Sequence, residues 1–221
     1  MSDIRVDRSL LVTDFDGTVT RRQFYQLVWE RLTPSSTPDF WIEYRAGRIT
    51  HFEALQRCFA AAEGGEEAFI SLLDEMQIES DLAGKVGLMK SAGWDVVVVS
   101  AGCSWYVERL LANAKVELPL FANYARIVDG RLIMELTPDR PFFSSDVGLD
   151  KAQVVQSFKA KGRRVGFAGD GFPDLEAALA VPAEFRFARS DLAEALQDRG
   201  QLFRRFNIWS DIVTQLVNGT T

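Results

Sequence analysis

Along the chain, short apolar runs that stop on small or acidic residues alternate with stretches whose apolar positions recur every three or four residues. The runs are SLLVTDFD (9–16), WDVVVVSAG (94–102), RRVGFAGDG (163–171) and EFRFA (184–188). Val96 to Val99 are continuous and β-branched, the pattern of a strand covered on both faces in a parallel sheet. Helical spacing marks DLAGKVGLMKSAG (81–93), LDKAQVVQSFKAKG (149–162) and DLEAALA (174–180). The first two end on Gly93 and Gly162, each suited to a helix C-cap. Strand and helix in alternation predict right-handed βαβ units and an α/β, doubly wound parallel sheet.

Two insertions interrupt this alternation. The first reads as helices: RRQFYQLVWERL, FWIEYRAG, THFEALQRCFAAAEGG and EEAFISLLDEMQ, with TPSSTP (33–38) breaking the first from the second. Thr50 and Glu53 have the spacing of a capping box. The expected division is an α/β core over residues 1–19 and 81–221 and a helical cap over 20–80. The second insertion, ANYARIVDGRLIMEL (122–136), carries Asp129-Gly130 between two apolar runs and predicts a small β-hairpin on a type I′ turn.

Composition narrows the function classes. With 221 residues, 47% of them hydrophobic, 16 Phe and 5 Trp, the chain can bury a substantial core. A formal charge of −6 argues against a nucleic-acid partner, and Arg21-Arg22, Arg163-Arg164 and Arg204-Arg205 are too short to make a basic stripe. Cys58 and Cys103 fit no metal spacing and no disulfide framework, which suits a reducing compartment. The start MSDIRVDRSLLV lacks the apolar region of a signal peptide, and no apolar stretch reaches the ~18 residues of a membrane span. A cytoplasmic protein without a membrane partner is expected. His51, the single histidine, excludes zinc hydrolases that need several and reads as a surface or cap residue of its helix.

In an open α/β sheet, ligands bind beyond the carboxyl ends of the strands. The residues that terminate the runs are Asp14, Asp16, Gly17 and Thr18; Ser100, Ala101 and Gly102; and Asp170, Gly171 and Asp174, with Lys151 from the first turn of a helix. Asp14 and Asp16, one residue apart on an extended backbone, point the same way. Carboxylates so close repel unless compensated, and oxygen ligands without His or Cys select Mg²⁺. Lys151, Ser100, Thr18 and the amides of Ala101 and Gly102 are donors for an anion held there. The set suits phosphoryl transfer to a carboxylate, with a second carboxyl as general acid and base. Spacing alone leaves open which of Asp14 and Asp16 takes which role. A phospho-aspartate signalling module of the receiver kind is the alternative from another class.

DFDGT, VVVVS, Lys151 in GLDK, and GDGFPD, in that order, resemble the four motifs of the haloacid dehalogenase superfamily over residues 9–188. The resemblance implies a Rossmann-like core and a phosphatase acting on a small-molecule phosphate ester. It makes Asp14 the nucleophile and a Mg²⁺ ligand, Asp16 the acid/base and a ligand through its carbonyl, and Asp170 the third ligand. Ser100 and Lys151 hold the phosphoryl group, Thr18 orients the acid/base loop, and Asp174 supports the metal's waters or Lys151. The helical insertion and the hairpin resemble the branch that contains phosphoserine phosphatase. DFDGTVT, GDGFPDLEAA, RFARSDLAEAL and FNIWSDI are similar to that branch's methionine-salvage phosphatases. Arg21, Arg22 and Gln23 are the foremost candidates for substrate specificity, followed by Tyr25, Trp41, Tyr44, Arg45 and Trp105.

Overall fold

Every residue of the first strand, β1 (Ser9–Thr13), is buried, in a computed structural model that describes residues 8–218. The start MSDIRVD and the last three residues lie outside the described residues. The other strands are β2 (Trp94–Cys103), β3 (Leu120–Val128), β4 (Arg131–Glu135), β5 (Phe143–Ser144), β6 (Gly148–Leu149), β7 (Val165–Gly169), β8 (Arg186–Ala188) and β9 (Arg204–Arg205). Seven of them form one sheet in the order β4-β3-β2-β1-β7-β8-β9, and β5 pairs with β6 apart from it. All pairings in the large sheet are parallel except β3 with β4. Val12 pairs with Val97 and Phe167, and Thr13 with Val98 and Ala168. The carboxyl ends of β1, β2 and β7 therefore meet at one edge. Connections leave β1 in opposite directions, and this reversal opens a crevice there.

The helices are α1 (Phe24–Leu32), α2 (Phe40–Arg45), α3 (His51–Ala61), α4 (Gly65–Ser71), α5 (Leu82–Ser91), α6 (Ser104–Asn113), α7 (Lys151–Ala160), α8 (Leu175–Leu179), α9 (Ser190–Asp198) and α10 (Trp209–Asn218). Successive strand residues face opposite sides, so Val97 and Val99 pack with residues of α7, α8 and α9, while Val96 and Val98 pack with α5, α6 and α10. Each such side chain, fully buried, contributes roughly 1.5–3 kcal/mol. This double cover is why the valine run carries no polar alternation.

The four helices of the insertion follow the turn after β1. Thr50 Oγ1 accepts from Glu53 N at 3.1 Å and Glu53 Oε2 from Thr50 N at 2.8 Å, a complete capping box at the start of α3. Phe24, Phe52, Phe59 and Phe69 belong to the same apolar cluster as Leu11, Phe15 and Val96, so the insertion shares its core with one face of the sheet. Asp129 and Gly130 have φ of +49° and +76°, the left-handed pair that a type I′ turn needs. The hairpin they close is the edge of the large sheet, since β3 pairs with β2. Cys58 and Cys103 are free and buried. No helix among the described residues is long and apolar enough to cross a membrane.

Candidate active site

Asp14 follows β1 directly, and its N–H still donates to Ala168 O at 2.8 Å, which fixes it at the sheet's carboxyl edge. The chain then folds back on itself: Phe15 O accepts from the amides of Thr18, Val19 and Thr20. Gly17 takes φ +71° inside this turn, a conformation costly for any other residue. Asp170 follows β7, Asp174 closes the short 3₁₀ turn after it, and Lys151 opens α7 behind the N-cap Asp150.

Lys151 Nζ donates to Asp14 Oδ1 at 2.5 Å and to Asp174 Oδ1 at 2.6 Å, with all three groups buried. Asp174 Oδ2 accepts from the amides of Asp170 (3.1 Å) and Gly171 (3.0 Å). Carboxylate oxygens of Asp14, Asp170 and Asp174 lie within 4.8 Å of one another. The Asp16 carboxylate is turned aside from that group. Its Oδ1 accepts from Phe24 N at 2.9 Å, and its Oδ2 from the Tyr106 hydroxyl and from Ser100 Oγ at 3.3 Å. Ser100 Oγ in turn accepts from Gly102 N at 3.0 Å.

Burial raises the Asp14 carboxyl well above its ordinary pKa; Lys151 opposes this, and the neighbouring acids add to it. Burial, then Asp174, pushes Asp170 up to about 7. Asp16 is also raised by burial, against the pull of the Phe24 N–H and the Tyr106 hydroxyl. Burial works to lower the Lys151 ammonium, but Asp14 and Asp174 together hold it above its usual range. One ammonium faces three buried carboxyls, so the cluster is short of positive charge. Its donors are all oxygens, and a hard divalent cation fits them.

A cavity of about 420 Å³ joins these groups. One wall holds Asp14, Asp16, Ser100, Ala101, Gly102, Lys151, Asp170 and Asp174; the insertion supplies Tyr25, Trp41, Tyr44 and His51 to the other. Trp41 lies at ring-centroid distances of 5.0 Å from Tyr25 and 5.4 Å from His51. Arg45 lies on the rim, 3.9 Å from Asp39. A larger cleft of about 630 Å³ beside β3 is lined by Glu66 and Glu108 but by none of these aspartates. The chemistry therefore belongs to the smaller cavity.

The sequence model of the haloacid dehalogenase-like hydrolases matches residues 11–179. The chain belongs to this family. This haloacid dehalogenase-like hydrolase is 23% identical over 220 residues to a Bacillus velezensis 2-hydroxy-3-keto-5-methylthiopentenyl-1-phosphate phosphatase, covering 95% of the chain and 90% of that protein. An Exiguobacterium sibiricum protein of the same name is 22% identical over 214 residues, covering 93% and 95%. Among solved structures, a phosphoserine phosphatase from T. onnurineus superposes with a TM-score of 0.68 at 16% identity over 98% of both chains. A hydrolase of the family from Salmonella enterica serovar Typhi gives 0.71 at 16% identity, over 95% of this chain and 70% of that one. At such identity these structures share the fold.

Four residues singled out from the sequence of this hydrolase lie away from the cavity. The turn at Phe15 carries Thr18 to a separate pocket of about 100 Å³ beside Arg21 and Trp209, where Thr18 Oγ1 is buried without a partner. Thr20 braces the loop instead, accepting from Gly17 N at 3.1 Å and donating to Arg22 O at 2.8 Å. Arg21 lines the small pocket, and Arg22 pairs with Glu30 and Glu75. Trp105 packs between Phe24 and Phe69 under the Arg109 guanidinium. Gln23 does face the cavity, and its Nε2 donates to Asp170 Oδ2 at 3.1 Å. His51 is neither a surface residue nor a cap: Thr50 is the N-cap, and His51 is only 8% exposed. Burial lowers its imidazole to about 4 and keeps it neutral. Sequence reasoning missed Tyr106; the available signal was its place in the first turn of the helix after β2, where side chains can reach the strand-end crevice.

Proposed function

We propose that this hydrolase is a Mg²⁺-dependent phosphatase that cleaves a small-molecule phosphate ester through an aspartyl phosphate on Asp14. The observation that carries the reading is the different company of two neighbouring carboxyls. Asp14 is held by Lys151 among the acids, whereas Asp16 is held apart from them by Phe24 N–H, Tyr106 and Ser100. One is equipped to attack and the other to move a proton.

Asp14, Asp170 and the Asp16 carbonyl would hold the metal, with Asp174 behind them. When bound, Mg²⁺ neutralises the acids and polarises the phosphoryl oxygens. Lys151, Ser100 and the backbone at Ala101 and Gly102 orient the phosphoryl group. Asp14 attacks phosphorus as the bond to the leaving oxygen breaks, and Asp16 gives that oxygen a proton. Asp16 then takes a proton from the water that attacks the aspartyl phosphate, releasing inorganic phosphate and restoring both side chains. In this reading residues 20–80 form a cap that closes the cavity over the leaving group.

The finer proposal is 2-hydroxy-3-keto-5-methylthiopentenyl-1-phosphate as substrate, placing the enzyme in methionine salvage. It is supported by the names of the relatives and by the aromatic wall of Tyr25, Trp41 and Tyr44 with its neutral His51, which suits an uncharged organic leaving group. The Gln23 amide, engaged with Asp170, offers no carboxylate to an amino group such as that of phosphoserine.

The test is steady-state assay of the purified protein with Mg²⁺ on that ester, phosphoserine and p-nitrophenyl phosphate. Many turnovers, loss of activity in chelator and the highest kcat/KM on the methylthiopentenyl ester are expected. A single stoichiometric phosphorylation without turnover would mark a receiver-like switch and overturn the phosphatase. Preference for phosphoserine would overturn only the substrate.

A further inference from the structure

Tyr106 lies in the first turn of α6 and is 1% exposed. A tyrosine hydroxyl buried this deeply needs a partner, and it has one in Asp16 Oδ2. Its ring stacks on Phe24 at a centroid distance of 4.4 Å and an interplanar angle of 28°. Phe24 in turn donates its backbone N–H to Asp16 Oδ1 at 2.9 Å. That N–H belongs to the first turn of α1, where amides have no partner within the helix. The three residues thus close a ring of contacts that holds both oxygens of one carboxyl.

Gly102 supports the same reading independently. A Cβ at this position would fall on the Tyr106 hydroxyl and lie 3.1 Å from Ser100 Oγ. The missing side chain is the space through which the hydroxyl reaches Asp16.

We propose that Tyr106 is a positioning residue, which fixes the Asp16 carboxyl in the orientation that delivers a proton to the leaving oxygen. The inference rests on the phosphatase reading, in which Asp16 is the acid. A carboxyl on two rotatable bonds can swing away from the bridging oxygen; donors on both its oxygens remove that freedom. Proton delivery depends on such placement. An alkoxide leaving group needs the proton, whereas p-nitrophenolate departs without one.

The experiment compares wild type with Tyr106→Phe, which keeps the ring against Phe24 and deletes the hydroxyl. Both proteins are assayed with Mg²⁺ on a simple alkyl phosphate and on p-nitrophenyl phosphate. The expected result is a loss of kcat/KM of about 10–100-fold on the alkyl ester and a change within about threefold on the aryl ester. Because both esters are measured on one preparation, the ratio of the two losses is independent of the fraction folded. Equal losses, or no loss on either ester, would overturn the role of Tyr106 while leaving the phosphatase standing. A wild-type protein that turns over neither ester would overturn the phosphatase, and the role of Tyr106 with it.

Discussion

Gln23 Nε2 donates to Asp170 Oδ2 at 3.1 Å across a sequence separation of 147 residues. The residue that precedes the insertion's first helix is thereby tied to a carboxylate at the end of β7. A hydrogen bond of this kind orients an acid before a cation arrives, and loss of such outer contacts typically weakens metal affinity about 10–100-fold. Gln23→Ala is therefore expected to weaken Mg²⁺ binding roughly tenfold in a calorimetric titration. Unchanged Mg²⁺ affinity together with altered choice between substrates would return Gln23 to a substrate contact.

Asp14 and Asp16 should separate in mutants. In the proposed mechanism Asp14 attacks and Asp16 carries the proton, so Asp14→Asn is expected to abolish turnover and phosphorylation of the chain. Asp16→Asn removes the proton carrier but leaves Lys151 and Ser100 in place, so kcat should fall by about 10²–10⁴. Its affinity for inorganic phosphate, measured as inhibition by product or by calorimetry, should stay within about threefold, since general acid catalysis is a term of the transition state. Normal turnover in Asp14→Asn would remove it as the nucleophile.

Gly17 and Gly47 allow backbone strain to be told apart from steric damage. Their φ values are +71° and +67°, but a Cβ at Gly17 would fall on the Asp170 carboxylate, whereas one at Gly47 meets nothing within 4 Å. Gly47→Ala should cost about 1 kcal/mol in urea unfolding and leave activity intact. Gly17→Ala should carry the same strain and also lose most Mg²⁺-dependent activity. Equal activity in the two variants would show that Asp170 can move without consequence.

What could be read from the sequence follows from how each signal arises. The cores of β1, β2 and β7 are buried on both faces and announce themselves as unbroken apolar runs; Arg204 and Arg205, as an edge strand of two residues, carry no such mark. Asp14, Asp16, Ser100, Lys151, Asp170 and Asp174 line one cavity, as the sequence predicts, because strand ends converge whatever the side chains do. Thr18 lines a different pocket from the acids because the direction of a tight turn depends on the amides gathered by Phe15 O, and residue types do not encode that. Trp105 and Tyr106 are neighbours in one helical turn about 100° apart. Choosing which faces the cavity requires the helix phase relative to β2, and this is set by packing against Phe24 and Phe69.

His51 makes stability sensitive to acid. Folded, its imidazole is lowered to about 4, chiefly by burial, whereas in the unfolded chain it titrates near its ordinary 6.5. Between these values the unfolded state binds more protons, so acidification favours unfolding. The stabilisation is complete above pH 6.5 and drains away as pH falls through 4, by roughly 3–3.5 kcal/mol in all. Asp170, raised to about 7, acts in the opposite sense: its folded form keeps a proton that the unfolded chain releases, so its contribution is lost as pH rises. The whole-protein profile mixes these with the raised Asp14 and Asp16 carboxyls, and the difference between wild type and His51→Leu isolates the imidazole. Urea unfolding at about pH 7.5 and about pH 4.5 should show wild type losing roughly 2–3 kcal/mol more than the variant. An identical loss in both proteins would mean that the imidazole is hydrated and free to charge within the fold.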